Sequence, residues 1–120
     1  MFNNFLNSMS LSRENKINSK ETFDHVFQSP DVKFSNELFF LLGKKANKLY
    51  PRLGVALKKK NIKLAVHRNF LKRKIKNSFM ANKNNLKNLD YVVMSNKCIK
   101  INNKNINEHL NSLWQNVFKN

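Results

Sequence analysis

The sequence predicts a small α+β domain, with helices covering one sheet in the order αβββαβα. Three observations carry this. Apolar runs between Val32 and Leu57 are too short for helices and are bounded by turn residues. Segments in mid-chain and at the C-terminal end repeat apolar residues at helical intervals. Finally, 120 residues with 41% apolar content and ten Phe supply one hydrophobic core and not two.

Taken in order, residues 1–12 are rich in Asn and Ser and read as a loose arm, with Met9 a second candidate start; residues 13–120 read as a single domain. Asn18 and Glu21 have capping-box spacing, and Phe23, Val26 and Phe27 follow at helical intervals. This predicts a first helix over Ser19–Gln28, closed by Ser29-Pro30. Val32–Phe34, Leu38–Leu42 and Leu53–Leu57 read as strands, with a turn over Asn47–Pro51. The run Leu38–Leu42 lacks polar alternation, as expected of a strand covered on both faces. The main helix is predicted from Ile62 to about Ala81, on a Leu71/Ile75/Phe79 spine that Leu64 extends upstream. A strand over Tyr91–Met94 follows. Asn105 and Glu108 again have capping-box spacing, and Ile106, Leu110, Leu113, Trp114, Val117 and Phe118 share one face of a terminal helix. Trp114 is expected to dock that helix on the sheet.

Charge is the outlying property. Twenty-three Lys and Arg against seven Asp and Glu give a formal charge of +16, a self-repulsion that a polyanion relieves. No acid occurs between Glu37 and Asp90, where fifteen Lys and Arg fall, nine of them from Lys58 to Lys76. On the main helix Arg68, Asn69, Lys72, Arg73 and Lys76 project from one side at roughly 100° per residue. Lys58, Lys59, Lys60 and Lys63 extend the stripe upstream. Like charges at this spacing oppose one another on an isolated helix, so phosphate binding explains them better than a solvated face does. Arg68 and Arg73 suit forked phosphate contacts, the lysines act as point charges, and Asn69 suits a sugar or base edge. Asn is frequent along the whole chain and is read as a compositional bias rather than as chemistry.

Other classes find little support. A single cysteine, Cys98, fits a reducing compartment and reads as a half-buried structural thiol. No run approaches the ~18 apolar residues of a membrane span, and residues 1–10 lack the features of a secretory signal, so the expected location is cytoplasmic. His25, His67 and His109 have no acidic partner in any motif, and no paired carboxylates, P-loop or metal-ligand spacing is present. His25 and His109 read as surface residues, whereas His67 lies beside the basic stripe. A DNA-binding helix pair is disfavoured, because no turn-linked helix precedes the basic one.

The stretch Lys59-Lys60-Asn61-Ile62-Lys63-x-Ala65-x-x-Arg68-Asn69-x-x-Lys72-Arg73 resembles the signature of the protein component of bacterial ribonuclease P. Phe23-x-x-Val26-Phe27, Pro51-Arg52-Leu53-Gly54-Val55, Asp90-Tyr91-Val92-Val93 and Leu113-Trp114 support it in order and spacing. The resemblance covers roughly Leu11 to Phe118. It implies an α/β sandwich with a left-handed β-α-β crossover. It also implies binding to the catalytic RNA and the 5′ leader of precursor tRNA, an accessory role in removing that leader, and magnesium ions held mainly by the RNA. By position, Lys59, Lys60, Lys63, Arg68, Asn69, Lys72, Arg73 and Lys76 fall to the catalytic RNA. Phe23 and Phe27 fall to a leader cleft on a different surface, although periodicity alone makes both core. A ribosomal or general RNA-binding protein is the competing reading.

The chain departs from the family pattern at Phe70, where a second arginine is expected. Either Phe70 stacks on RNA, or it packs against the protein and the contact is lost. Lys76-Asn77 also stands where an arginine followed by an acid is usual.

Overall fold

The computed structural model describes residues 13–96, 99–100 and 104–119. The arm over residues 1–12 and Cys98 lie outside them. Seven principal elements follow in the expected order: α1 (Lys20–Gln28), β1 (Val32–Ser35), β2 (Phe39–Lys45), β3 (Arg52–Ala56), α2 (Ala65–Asn82), β4 (Leu89–Ser95) and α3 (Ile106–Gln115). Short 3-10 turns occupy Arg13–Asn15 and Lys83–Asn85.

The strands form one mixed sheet of order β1-β2-β4-β3. β1 and β4 run antiparallel to β2, whereas β3 runs parallel to β4, with α2 making the crossover between them. Residues paired across strands share a face, so register divides the side chains. Phe34, Leu41 and Val93 lie in one row and Val32, Gly43, Tyr91 and Leu53 in the next. This face meets α2 and α3 in the main core, with Leu71, Ile75, Phe79, Leu110 and Trp114. The opposite rows are Lys33/Leu42/Val92/Gly54 and Ser35/Phe40/Met94/Ala56. There Leu42 and Val92 pack with Ile17 and Val26 in a second, smaller core under α1. The two-sided burial expected of β2 follows from this.

Local chemistry shifts several boundaries. Ser19, rather than Asn18, caps α1, its Oγ accepting from the Thr22 N–H at 3.1 Å. α2 starts at Ala65, three residues later than predicted. The Asn61 and Ile62 amides close a turn on the Lys58 carbonyl, and the Arg68 guanidinium takes the Ile62 and Lys63 carbonyls at 2.8 and 3.0 Å. Ile62 is still buried, but Leu64 stands exposed at the N-cap and does not extend the spine. α3 ends at Gln115. Val117 and Phe118 leave it to pair with the segment after α2, through a Leu86–Phe118 bridge and the Lys87 N–H on the Val117 carbonyl at 3.0 Å.

Trp114 ties the layers together as expected. Its ring meets Phe79 of α2 at 5.6 Å and Tyr91 of β4 at 5.9 Å, both edge to face, and its Nε1–H donates to Ser78 Oγ at 2.8 Å. Burial pushes the Tyr91 phenol well above its ordinary range, and its hydroxyl donates to the Lys87 carbonyl at 2.7 Å.

Candidate nucleic-acid interface

α1 covers only part of its face of the sheet. Between α1, β3 and α2 lies a recess of about 200 Å3, lined by Lys16, Ile17, Phe23, Leu53, Gly54, Val55, Lys72 and Lys76. Its position follows from sequence through Gly54. A Cβ there would stand 2.5 Å from Phe23 Cζ, so the glycine lets the ring lie against the strand. The Phe23 ring stacks on Phe27 at 6.4 Å and 25°, and Phe27 itself is 42% exposed. Phe23 is therefore half-buried at the groove wall, and Phe27 is not core.

A second recess of about 230 Å3 lies on the same sheet face, lined by Phe40, Met94, Ser95 and Asn96 and by Lys58, Lys60 and Asn61 of the loop before α2. The partly buried Phe40 and Met94 form an apolar floor bordered by lysines. This combination suits a strand with exposed bases and a charged backbone.

The predicted cationic residues separate by environment. Lys59, Lys60 and Lys63 are exposed on the loop; Asn69 and Arg73 are exposed on α2. Lys72 and Lys76 turn inward to line the groove with Phe23. The sequence reading put the leader-facing aromatics and the basic helix on different surfaces, but these two lysines join them. The signal was missed because Phe23 and Lys72 are far apart in the chain and meet only across β3. Lys16 was not singled out at all; it reaches the groove because it bridges to Leu53, beside β3.

Arg68 has a structural duty. One of its terminal nitrogens holds the two carbonyls that shape the loop, so it is only partly available for phosphate. Phe70 is partly buried and packs against the main core. The Lys74 Nζ stands 5.5 Å from its ring centre.

The electrostatics favour an anion. The Lys76 ammonium is pushed below its ordinary value, first by burial and then by Lys16 and Lys72. Because the folded value is depressed, the charged form opposes folding at neutral pH, and that cost is relieved as pH rises through the lowered value. A phosphate bound beside it would oppose that shift, because an opposite charge favours the protonated form. Calorimetric titrations with RNA at alkaline pH, in buffers of different ionisation enthalpy, are expected to show proton uptake that shrinks in Lys76→Arg. Equal uptake in both proteins would remove Lys76 from the contact.

Among the described residues no group of three or more His, Cys, Asp or Glu gathers as a metal site, and no helix is long and apolar enough to cross a membrane. His25 is exposed, whereas His67 is partly buried. His109 is partly buried as well; its Nδ1 lies 2.8 Å from the Asn105 carbonyl and its Nε2 lies 4.0 Å from Glu37.

Comparison with known proteins gives the family of the chain. The family model for ribonuclease P matches residues 11–117. A ribonuclease P protein component from Pseudomonas putida (strain GB-1) is 36% identical over 109 residues, covering 90% of this chain and 81% of its own. That of Pseudomonas aeruginosa (strain PAO1) is 34% identical over 114 residues, covering 94% and 84%. Among solved structures, the RNase P protein of Thermotoga maritima superposes with a TM-score of 0.72 at 27% identity, covering 87% of this chain and 98% of its own. The RNase P protein of Staphylococcus aureus shares the fold with a TM-score of 0.76 at 22% identity, covering 88% and 98%. The chain belongs to the ribonuclease P protein family, whose name places it in tRNA processing.

Proposed function

We propose that this chain is the accessory subunit that binds the catalytic RNA of ribonuclease P and the 5′ leader of precursor tRNA, and so assists endonucleolytic removal of the leader. The exposed Arg73 and Asn69 with the loop lysines 59, 60 and 63 face the catalytic RNA in this reading. The groove of Phe23, Lys16, Lys72 and Lys76 takes the leader. One observation carries it: an aromatic ring and three ammonium groups line a single groove that no carboxylate lines. Stacking accepts any base and the lysines accept any phosphate, which suits a leader of variable sequence. The RNA and the magnesium ions held mainly by it cut the bond; the protein binds and positions.

The test is leader release from precursor tRNA at low magnesium, with the organism's ribonuclease P RNA and the purified chain. The chain is expected to accelerate cleavage and to bind that RNA above bulk RNA. A general RNA-binding protein would do neither. Phe23→Ala is expected to weaken leader-bearing substrate by about 1–3 kcal/mol while leaving mature tRNA almost unchanged. Gly54→Ala, whose methyl displaces the same ring, should follow it in direction. Equal losses on both substrates would make Phe23 a packing residue only.

A further inference from the structure

The seam between α2 and α3 is not used by the reading above. Across it Lys74, Asn77 and Ser78 face Asn107 and Asn111 around an open recess of about 350 Å3. At roughly 100° per residue, Lys74 and Ser78 point well away from Lys72 and Lys76, so this flank of the basic helix is separate from the groove. The recess has a fixed edge. Trp114 is fully buried and donates to Ser78, which holds the two helices in register. Lys74 extends over the Phe70 ring, so its ammonium is held at the seam.

Asn is abundant in this chain, so three amides alone prove little. Their convergence with one cation is the informative feature. The lining is a lysine, a hydroxyl and three amides; no carboxylate is included, and Glu108 of α3 does not line it. Each amide offers a donor and an acceptor together, which matches a ribose 2′-hydroxyl, and the ammonium matches a phosphate. The lining offers no apolar anchor for a protein partner. A second copy would bring another +16 charge against the first. A polyribonucleotide fits both properties.

We propose that the α2–α3 seam is a second RNA-docking surface, with Lys74 on a phosphate and Asn77, Asn107 and Asn111 on the sugar edge. It rests on the RNA-binding reading above and adds a surface to it, so that α2 is contacted by RNA along two flanks. The test is binding of this chain to the ribonuclease P RNA over a salt series, with Lys74→Ala, Asn111→Asp and Arg73→Ala in parallel and folding checked by circular dichroism. Lys74→Ala is expected to reduce the log–log salt slope by about 0.7–0.9. Asn111→Asp, which places a carboxylate in the recess, should weaken binding by about two- to tenfold. Both should leave the holoenzyme's preference for leader-bearing over mature tRNA unchanged, unlike Phe23→Ala. Wild-type affinity and slope in both seam variants, with Arg73→Ala still impaired, would overturn this surface alone. Silence of all three would overturn RNA binding by the helix as a whole. Sedimentation covers the other occupant: a dimer that Asn111→Asp dissolves, with RNA affinity unaltered, would also overturn the proposal.

Discussion

Trp114→Ala is expected to cost about 3–5 kcal/mol of folding stability, a large part of the ~5–15 kcal/mol a small domain has. The ring is fully buried where α2, α3 and β4 meet, in contact with Phe79 and Tyr91. Its removal leaves a cavity among groups fixed by their own elements, so little of the volume can be refilled by relaxation. Trp114→Phe should lose less, roughly 1 kcal/mol of hydrogen bonding to Ser78 plus a smaller packing defect. Urea unfolding followed by circular dichroism reads both, since the chain has no other Trp for fluorescence. A midpoint for Trp114→Ala within error of the wild type would show that the helices do not depend on this contact.

Arg52→Met is the second large effect. Arg52 Nε and Nη2 each donate to one carboxylate oxygen of Asp90 at 2.6 Å, and Asp90 is only 4% exposed. The pair raises the Arg52 value, with hydrogen bonding to Asp90 the leading cause. Removing the arginine strands a buried carboxylate, for which about 3–5 kcal/mol is the expected loss. Removing both charges, as in Arg52→Met with Asp90→Leu, should recover much of it, because the desolvation cost then disappears with the ions. The single variant also has a functional consequence. Register puts Asp90 and Arg52 on the groove face of the sheet, two residues from Gly54. An unpaired negative charge there should lower affinity for leader-bearing substrate beyond the loss in stability. A change in stability below about 1 kcal/mol would show that the pair behaves as an exposed bridge.

Much of the fold was legible because local patterns carry it. The Leu71/Ile75/Phe79 spine, the short β-rich runs and the Trp114 face each state their element through period and composition, and all are found where expected. The basic helix was legible for a different reason: acids are absent over a long stretch, and that needs no structure to see. Boundaries failed where side chains compete for backbone groups. The Arg68 guanidinium takes the carbonyls of Ile62 and Lys63, so α2 begins at Ala65 and Leu64 faces solvent. Val117 and Phe118 kept their apolar role but exchanged helix for bridge, because the chain end pairs with Leu86 and Lys87.

The sequence by itself determined the helices and strands, the charge that demands a polyanion, and the residue types at the family's motif positions. The tertiary structure decided which of those residues meet. Parallel pairing of β3 with β4 brings Gly54 under Phe23 and places Lys72 and Lys76 across from that ring, beside Lys16. It also laid Phe70, partly buried, against the main core. Such meetings depend on sheet register and on the crossover of α2, which are long-range properties. Hydrophobic period specifies the face a residue occupies along its own element and says nothing of the partner opposite.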